Sequence, residues 1–151
     1  MKLLGIDFGT RRVGLAMTDP SGAMAFPYAT IHRTTRDKLF QELLDILERE
    51  QVEGIVVGLP GSREAGDGSG IGAPMAADGE EALIVRQIRN FVDRLQRRTP
   101  LPVHLVDETL SSFEAEQTLR ESGLKGEKLK EKLDQQAAVL ILRTYLESRP
   151  V

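Results

Sequence analysis

The chain has 151 residues, 40% apolar and 28% charged, a length suited to one domain that can bury roughly 70% of its unfolded surface. It has no cysteine and only two histidines, which excludes disulfides, thiol catalysis, thiolate zinc sites and a multi-histidine metal centre. A net charge of −3 argues against non-specific coating of nucleic acid, which needs a basic footprint, but leaves room for an acidic site with local basic groups.

Leu3 to Phe8 is apolar except at Asp7 and predicts a buried strand. Gly9 and Thr10 make a turn, and Arg12 to Thr18 a second strand. After the turn signal Pro20-Ser21-Gly22, residues 24–32 form a third strand, in which Pro27 marks an edge or irregular position. The short connections make these strands an antiparallel meander. Thr34 with Asp37 resembles a helix-start box, and Leu39, Leu43, Ile46 and Leu47 recur at helical spacing, so 35–50 is an amphipathic helix. Gly54 to Gly58 is a continuously apolar strand of the kind buried on both faces.

Residues 61–79 contain Gly61, Gly66, Gly68, Gly70, Gly72 and Gly79 and almost no large apolar side chain, the composition of a mobile loop. The segment lacks the lysine and spacing of a phosphate-binding loop. Asp78 with Glu81 opens a second helix, whose stripe runs Ile84, Val85, Ile88, Phe91, Val92, Leu95 to about residue 97. Pro102 to Val106 is a strand ending at Asp107-Glu108. Ser111 with Glu114 caps a helix that Gly123 ends, and a final helix covers 127–148. The later strands follow helices, so right-handed crossovers lay them parallel to the first. The expectation is one α/β domain over 1–151: a mixed five-stranded sheet, three antiparallel strands plus two parallel, flanked by helices. Asp7 interrupts the first apolar run before signal-peptide length, and the longest run, Ala137 to Leu142, is too short to cross a membrane. Both predict a cytoplasmic protein with no membrane association.

Three acids stand out. Asp7 shares a pleat face with Leu3 and Gly5, opposite Ile6 and Phe8; a carboxylate in a buried strand is costly unless it is paired or metal-bound, though it could instead serve the Phe8-Gly9-Thr10 turn. Asp107 and Glu108 point to opposite faces, so only one can join Asp7, and both could be solvated loop acids. Asp134 heads the stripe Ala138, Ile141, Tyr145 on the last helix and should face the sheet, although a single acid at the edge of an apolar face is also common. Together, Asp7, Glu108 and Asp134 would repel strongly unless cations sat between them. Magnesium or manganese suits such oxygen ligands, and two such ions can activate water and stabilise the leaving oxygen in phosphodiester hydrolysis. Basic groups at Arg11-Arg12, Arg33 with Arg36 and Lys38, Arg97-Arg98 and Lys125 to Lys132 are either solvated surface charge or local nucleic-acid contacts.

Four segments carry a resemblance: Leu4 to Ala16 (LGIDFGTRRVGLA), Val57-Gly58-Leu59-Pro60, Asp107-Glu108-Thr109-Leu110-Ser111-Ser112, and Asp134-Gln135-Gln136-Ala137-Ala138 with Ile141-Leu142 and Tyr145-Leu146. Over nearly the whole chain, and in order, this resembles the YqgF/RuvX family, the Holliday junction resolvases also described as pre-16S rRNA nucleases. The resemblance implies a ribonuclease H-like fold, a cytoplasmic endonuclease that matures the 5′ end of 16S ribosomal RNA, and metal-binding catalytic acids at Asp7, Glu108 and Asp134. It also implies a structured nucleic acid as partner, pre-16S rRNA or branched DNA, with Thr10, Arg11, Arg12 and Ser111 as contacts. Thr109 stands where many members carry arginine, and the segment after Pro60 is longer and richer in glycine and alanine. Two other readings compete. Gly5 to Thr10 also resembles the first phosphate loop of the actin, heat-shock chaperone and sugar-kinase superfamily, which binds nucleotide between two such domains. A non-catalytic RNA- or transcription-associated factor could keep the fold without the reaction.

Overall fold

The computed structural model describes residues 1–60, 80–108 and 121–148. The strands are β1 (Leu3–Phe8), β2 (Arg12–Thr18), β3 (Ala25–His32), β4 (Gly54–Pro60) and β5 (Val103–Glu108); the helices are α1 (Arg36–Arg49), α2 (Glu80–Gln96) and α3 (Gly126–Ser148). The strands form one five-stranded sheet in the order β3-β2-β1-β4-β5. β1, β2 and β3 pair antiparallel, while β4 runs parallel to β1 and β5 parallel to β4, the mixture expected. β5 is not beside β1, because β4 lies between them. The ends of β1 and β5 are therefore two strand spacings apart, about 10 Å.

Pleating divides the strands between two cores. Leu4, Ile6 and Phe8 pack with Val13, Leu15, Ile55 and Val57 beneath the apolar faces of α1 and α2. Leu3, Ala16 and Val56 face the other way, against Ala138, Val139, Ile141 and Leu142 of α3. β4 is thus buried on both faces, as its unbroken apolar run requires. In the first core the Phe91 ring lies 4.5 Å from that of Phe8 and 5.5 Å from that of Phe40. Pro27 lies on edge strand β3 where the register slips: Ala29 pairs with Leu15 and Pro27 with Ala16, leaving Tyr28 as the extra residue. An edge bulge is where proline is tolerated in a sheet.

The α1 start differs by one residue from expectation. Thr35, not Thr34, is the N-cap, its hydroxyl accepting from the Lys38 amide. Asp37 then sits in the first turn, where the helix dipole favours an acid. Gly123 adopts φ 94°, a left-handed conformation that suits a glycine ending a helix. The glycine-rich segment 61–79, the Asp78–Glu81 start signal and most of the helix expected from Ser111 lie outside the described residues.

Among the described residues Thr18 is the buried polar side chain of the sheet; its hydroxyl accepts from the Leu3 amide at 2.8 Å and donates to the Met1 carbonyl at 3.3 Å. Thr18→Val keeps the shape and strands both partners, so a loss of about 1–2 kcal/mol is expected in the denaturant midpoint. An unchanged midpoint would mean that water replaces the hydroxyl.

Candidate functional site

β1, β3, β4 and β5 run in the same direction, so their carboxyl ends share one edge of the sheet. Asp7 stands at that edge on β1. Glu108 is the last residue of β5, with its backbone in register with Pro60; its side chain lies outside the described residues. Asp7 has the parity of Leu3, which packs against α3, and not of Ile6 and Phe8. The face expected for Asp7 is therefore the face that α3 covers.

Helix α3 reaches that face because glycines let it. A Cβ on Gly5 would stand 2.6 Å from Leu142 Cγ and 2.9 Å from the Ala138 carbonyl oxygen. One on Gly14 would stand 2.2 Å from the Asp134 carbonyl oxygen and 2.7 Å from Asp134 Cβ. Gly14 is in turn the Cα partner of Asp7 across the β1–β2 ladder, a separation of about 4.5–5.5 Å. The backbone of residue 134 therefore rests on the residue paired with Asp7. Upstream, Thr30 of β3 fixes the same helix: its hydroxyl donates to the Glu131 carbonyl at 3.0 Å and accepts from the Gln135 amide at 3.0 Å.

Asp134 does not face the sheet unaccompanied. Arg12 Nε donates to Asp134 Oδ2 at 2.7 Å, with each side chain 20% exposed. Burial raises the Asp134 carboxyl above its ordinary value, although the Arg12 guanidinium pulls it down. The hydrogen bond to Asp134 raises Arg12 in turn. The two directions agree physically: a half-buried carboxylate whose charge one guanidinium only partly offsets.

Of the expected nucleic-acid contacts, Thr10 and Arg11 are exposed in the β1–β2 turn, Arg12 holds Asp134, and Ser111 lies outside the described residues. Sequence reasoning missed a second cluster. His32 Nε2 lies 2.6 Å from Glu131 Oε2, and His32, Glu127 and Glu131 each offer a ligand atom within 4.8 Å of the others. The Glu127–Glu131 spacing of one helical turn was a usable signal; the pairing of His32 with α3 had none.

The sheet order and the acid-bearing carboxyl edge under a helix define a ribonuclease H-like domain. Residues 1–148 match the family model described as RuvX: Holliday junction resolvase, and the chain belongs to that family. A protein of Maridesulfovibrio salexigens is 52% identical over 146 residues, covering 97% of this chain and 98% of its own length. One of Nitratidesulfovibrio vulgaris is 51% identical over 146 residues, covering 97% and 93%. Both are named as candidate pre-16S rRNA nucleases. Among solved structures, Thermus thermophilus RuvC in complex with a Holliday junction substrate superposes with a TM-score of 0.54 at 16% identity, covering 97% of this chain and 95% of that one. At that identity the likeness shows the fold. No helix among the described residues is long and apolar enough to cross a membrane.

Proposed function

We propose that this protein is a divalent-metal-dependent endonuclease that hydrolyses phosphodiester bonds in maturing the 5′ end of pre-16S rRNA, with Asp7, Glu108 and Asp134 as its metal-binding catalytic acids. One observation carries the reading: α3 rests residue 134 on Gly14, the strand partner of Asp7, at the edge where β5 also ends. Position 108 has the parity of Val106, which packs toward α3, so alternation favours Glu108 over Asp107.

The donor set fits a hard cation. Carboxylate oxygens suit magnesium or manganese, and a half-buried Asp134 with a raised pKa is an anion short of positive charge. Ions held there supply water activation and stabilisation of the leaving oxygen. The chain's own contribution is placement. Gly5 and Gly14 set the height of α3, Thr30 fixes its first half at Glu131 and Gln135, and Arg12 holds the Asp134 carboxylate in one orientation. A cytoplasmic location belongs to the same reading. The family description and the fold shared with RuvC favour a second substrate, a four-way DNA junction.

The test offers wild type and Asp7→Asn a precursor 16S 5′ end and a four-way DNA junction, each with and without magnesium or manganese. Cleavage of the RNA by wild type with metal alone is expected; cutting of the junction alone would reassign the substrate, and cutting by Asp7→Asn would end the metal account. A manganese soak separates the two acid groups, with density expected at Asp7–Asp134; ions only at His32, Glu127 and Glu131 would overturn the assignment.

A further inference from the structure

The opposite face of the same sheet edge carries a cavity of about 300 Å³ between β1, α1 and α2, with Arg33, Arg36 and Arg94 in its wall beside the amides Gln87 and Asn90. That volume lies at the lower end of small-ligand sites. No carboxylate among the described residues lines it. Its floor is the ring cluster of Phe8, Phe40 and Phe91, which is buried.

Three cations gathered over an apolar floor are unfavourable unless an anion joins them. Arg33 stands over the Phe8 ring, 4.7 Å from its centroid, and its Nη1 donates to the carbonyls of Gly9 and Thr10 at 3.0 and 3.2 Å. A guanidinium has five N–H donors, so this anchoring leaves others for a ligand. Burial, and then the like charge of Arg36, holds Arg33 below its ordinary value. Arg36 is the first residue of α1, where the helix dipole disfavours a cation and favours an anion. Arg33 and Arg36 are therefore placed at some local cost, and Arg94, in the last turn of α2, meets no carboxylate among the described residues that line the cavity, an arrangement that suits a bound anion.

The location names the anion. Phe8 follows Asp7 directly, and the Gly9–Thr10 turn that Arg33 holds is the next stretch of chain. A nucleic-acid strand crossing the carboxyl edge would meet the acids on one side and the arginines on the other. We propose that this cavity binds a phosphate group of the nucleic-acid strand cut at the acidic edge, within a few nucleotides of the scissile bond, gripped by Arg33, Arg36 and Arg94. The inference rests on the nuclease reading above.

The test measures binding apart from cleavage. In an Asp7→Asn background with magnesium, fluorescence anisotropy follows a labelled precursor 16S RNA against salt concentration. Arg36→Gln with Arg94→Gln is expected to weaken binding about 10–100-fold and to flatten the log–log salt slope by about one, the share of a single phosphate. Arg36→Lys with Arg94→Lys should recover part of this, because lysine keeps the charge but not the two-pronged donor geometry. Arg89→Gln with Arg97→Gln, exposed on and just beyond α2 and outside the cavity, removes the same charge and should cost less than about threefold. Thermal melts should show the first pair folded, since Arg36→Gln relieves the helix end.

Equal losses from the two glutamine pairs, or none from the first, would overturn the proposal. So would tight binding of AMP or inorganic phosphate that depends on Arg36 and Arg94 yet leaves RNA affinity untouched, which would make the cavity a free-nucleotide site. If wild type never cuts but the binding losses follow as stated, the catalytic reading fails and the subsite stands. If wild type cuts and the glutamine pair binds normally, the subsite alone fails.

Discussion

Asp134→Asn should abolish metal-dependent cleavage, by on the order of 10³-fold or more, while leaving the melting temperature unchanged or about 1–3 °C higher. The two halves of this result have one origin. Burial raises the Asp134 carboxyl above its ordinary value, even with Arg12 in contact. The folded chain therefore takes up this proton more readily than the unfolded chain. Its favourable contribution to folding is present below the ordinary aspartate range and is lost as pH rises through the folded value. At neutral pH the ionised carboxylate works against the fold, and asparagine, of the same shape and still an acceptor for Arg12, removes that opposition. Cations bound beside Asp134 would restore the balance in wild type: manganese at about 100 times its dissociation constant would add about 2.7 kcal/mol, a rise of about 5–10 °C. The variant should lack most of that rise. Scanning calorimetry with and without manganese checks stability, and precursor cleavage checks catalysis; a variant that cuts within tenfold of wild type would remove Asp134 from the site.

Gly14→Ala should cost about 3 kcal/mol and lower the melting temperature by about 6–12 °C. The added methyl would lie 2.2 Å and 2.4 Å from the carbonyl oxygen and carbon of Asp134. Those atoms belong to a helix backbone and cannot turn aside as a side-chain tip can, so α3 must lift away. Lifting it separates residue 134 from Asp7, so activity measured well below the melting point should fall as well. Gly54→Ala is the control: its methyl would meet Leu3 Cδ2 at 2.8 Å and side-chain tips of Pro102 and Met1 beyond 3.5 Å. A leucine tip can yield, and a loss within about 1 kcal/mol is expected. Equal melting temperatures for the two variants would mean that α3 is not held down at Gly14.

Much of this was legible in the sequence because it depends on periodicity. The alternation of β1 put Asp7 on the face opposite Ile6 and Phe8, and the 3.6-residue stripe of α3 turned Asp134 toward the sheet; both follow from the apolar pattern around the acid. The antiparallel meander followed from short turns, and the bulge from Pro27. The rest depends on contacts between distant residues, which leave no local pattern. Nothing near Arg12 indicates that its partner is Asp134, and nothing near Arg33 and Arg36 indicates that Arg94 joins them. Strand order is of the same kind: crossover handedness makes β4 and β5 parallel to β1 without saying that β4 lies between β1 and β5. The α1 start was misjudged by one residue because Thr34 and Thr35 are equally good caps, and backbone geometry chooses between them.

The neighbouring pair Asp7 and Phe8 makes β1 its own proofreader. Because successive side chains alternate between faces, a slip of one residue along the β2 ladder would drive the carboxylate among the rings of Phe40 and Phe91 and thrust the Phe8 ring toward the α3 backbone over Gly14. Either half of that exchange is costly alone, and they must occur together. The strand that carries the acid is thereby rejected in its wrong alignment by hydrocarbon on one side and by steric exclusion on the other, so folding itself guards the position of the Asp7 carboxylate.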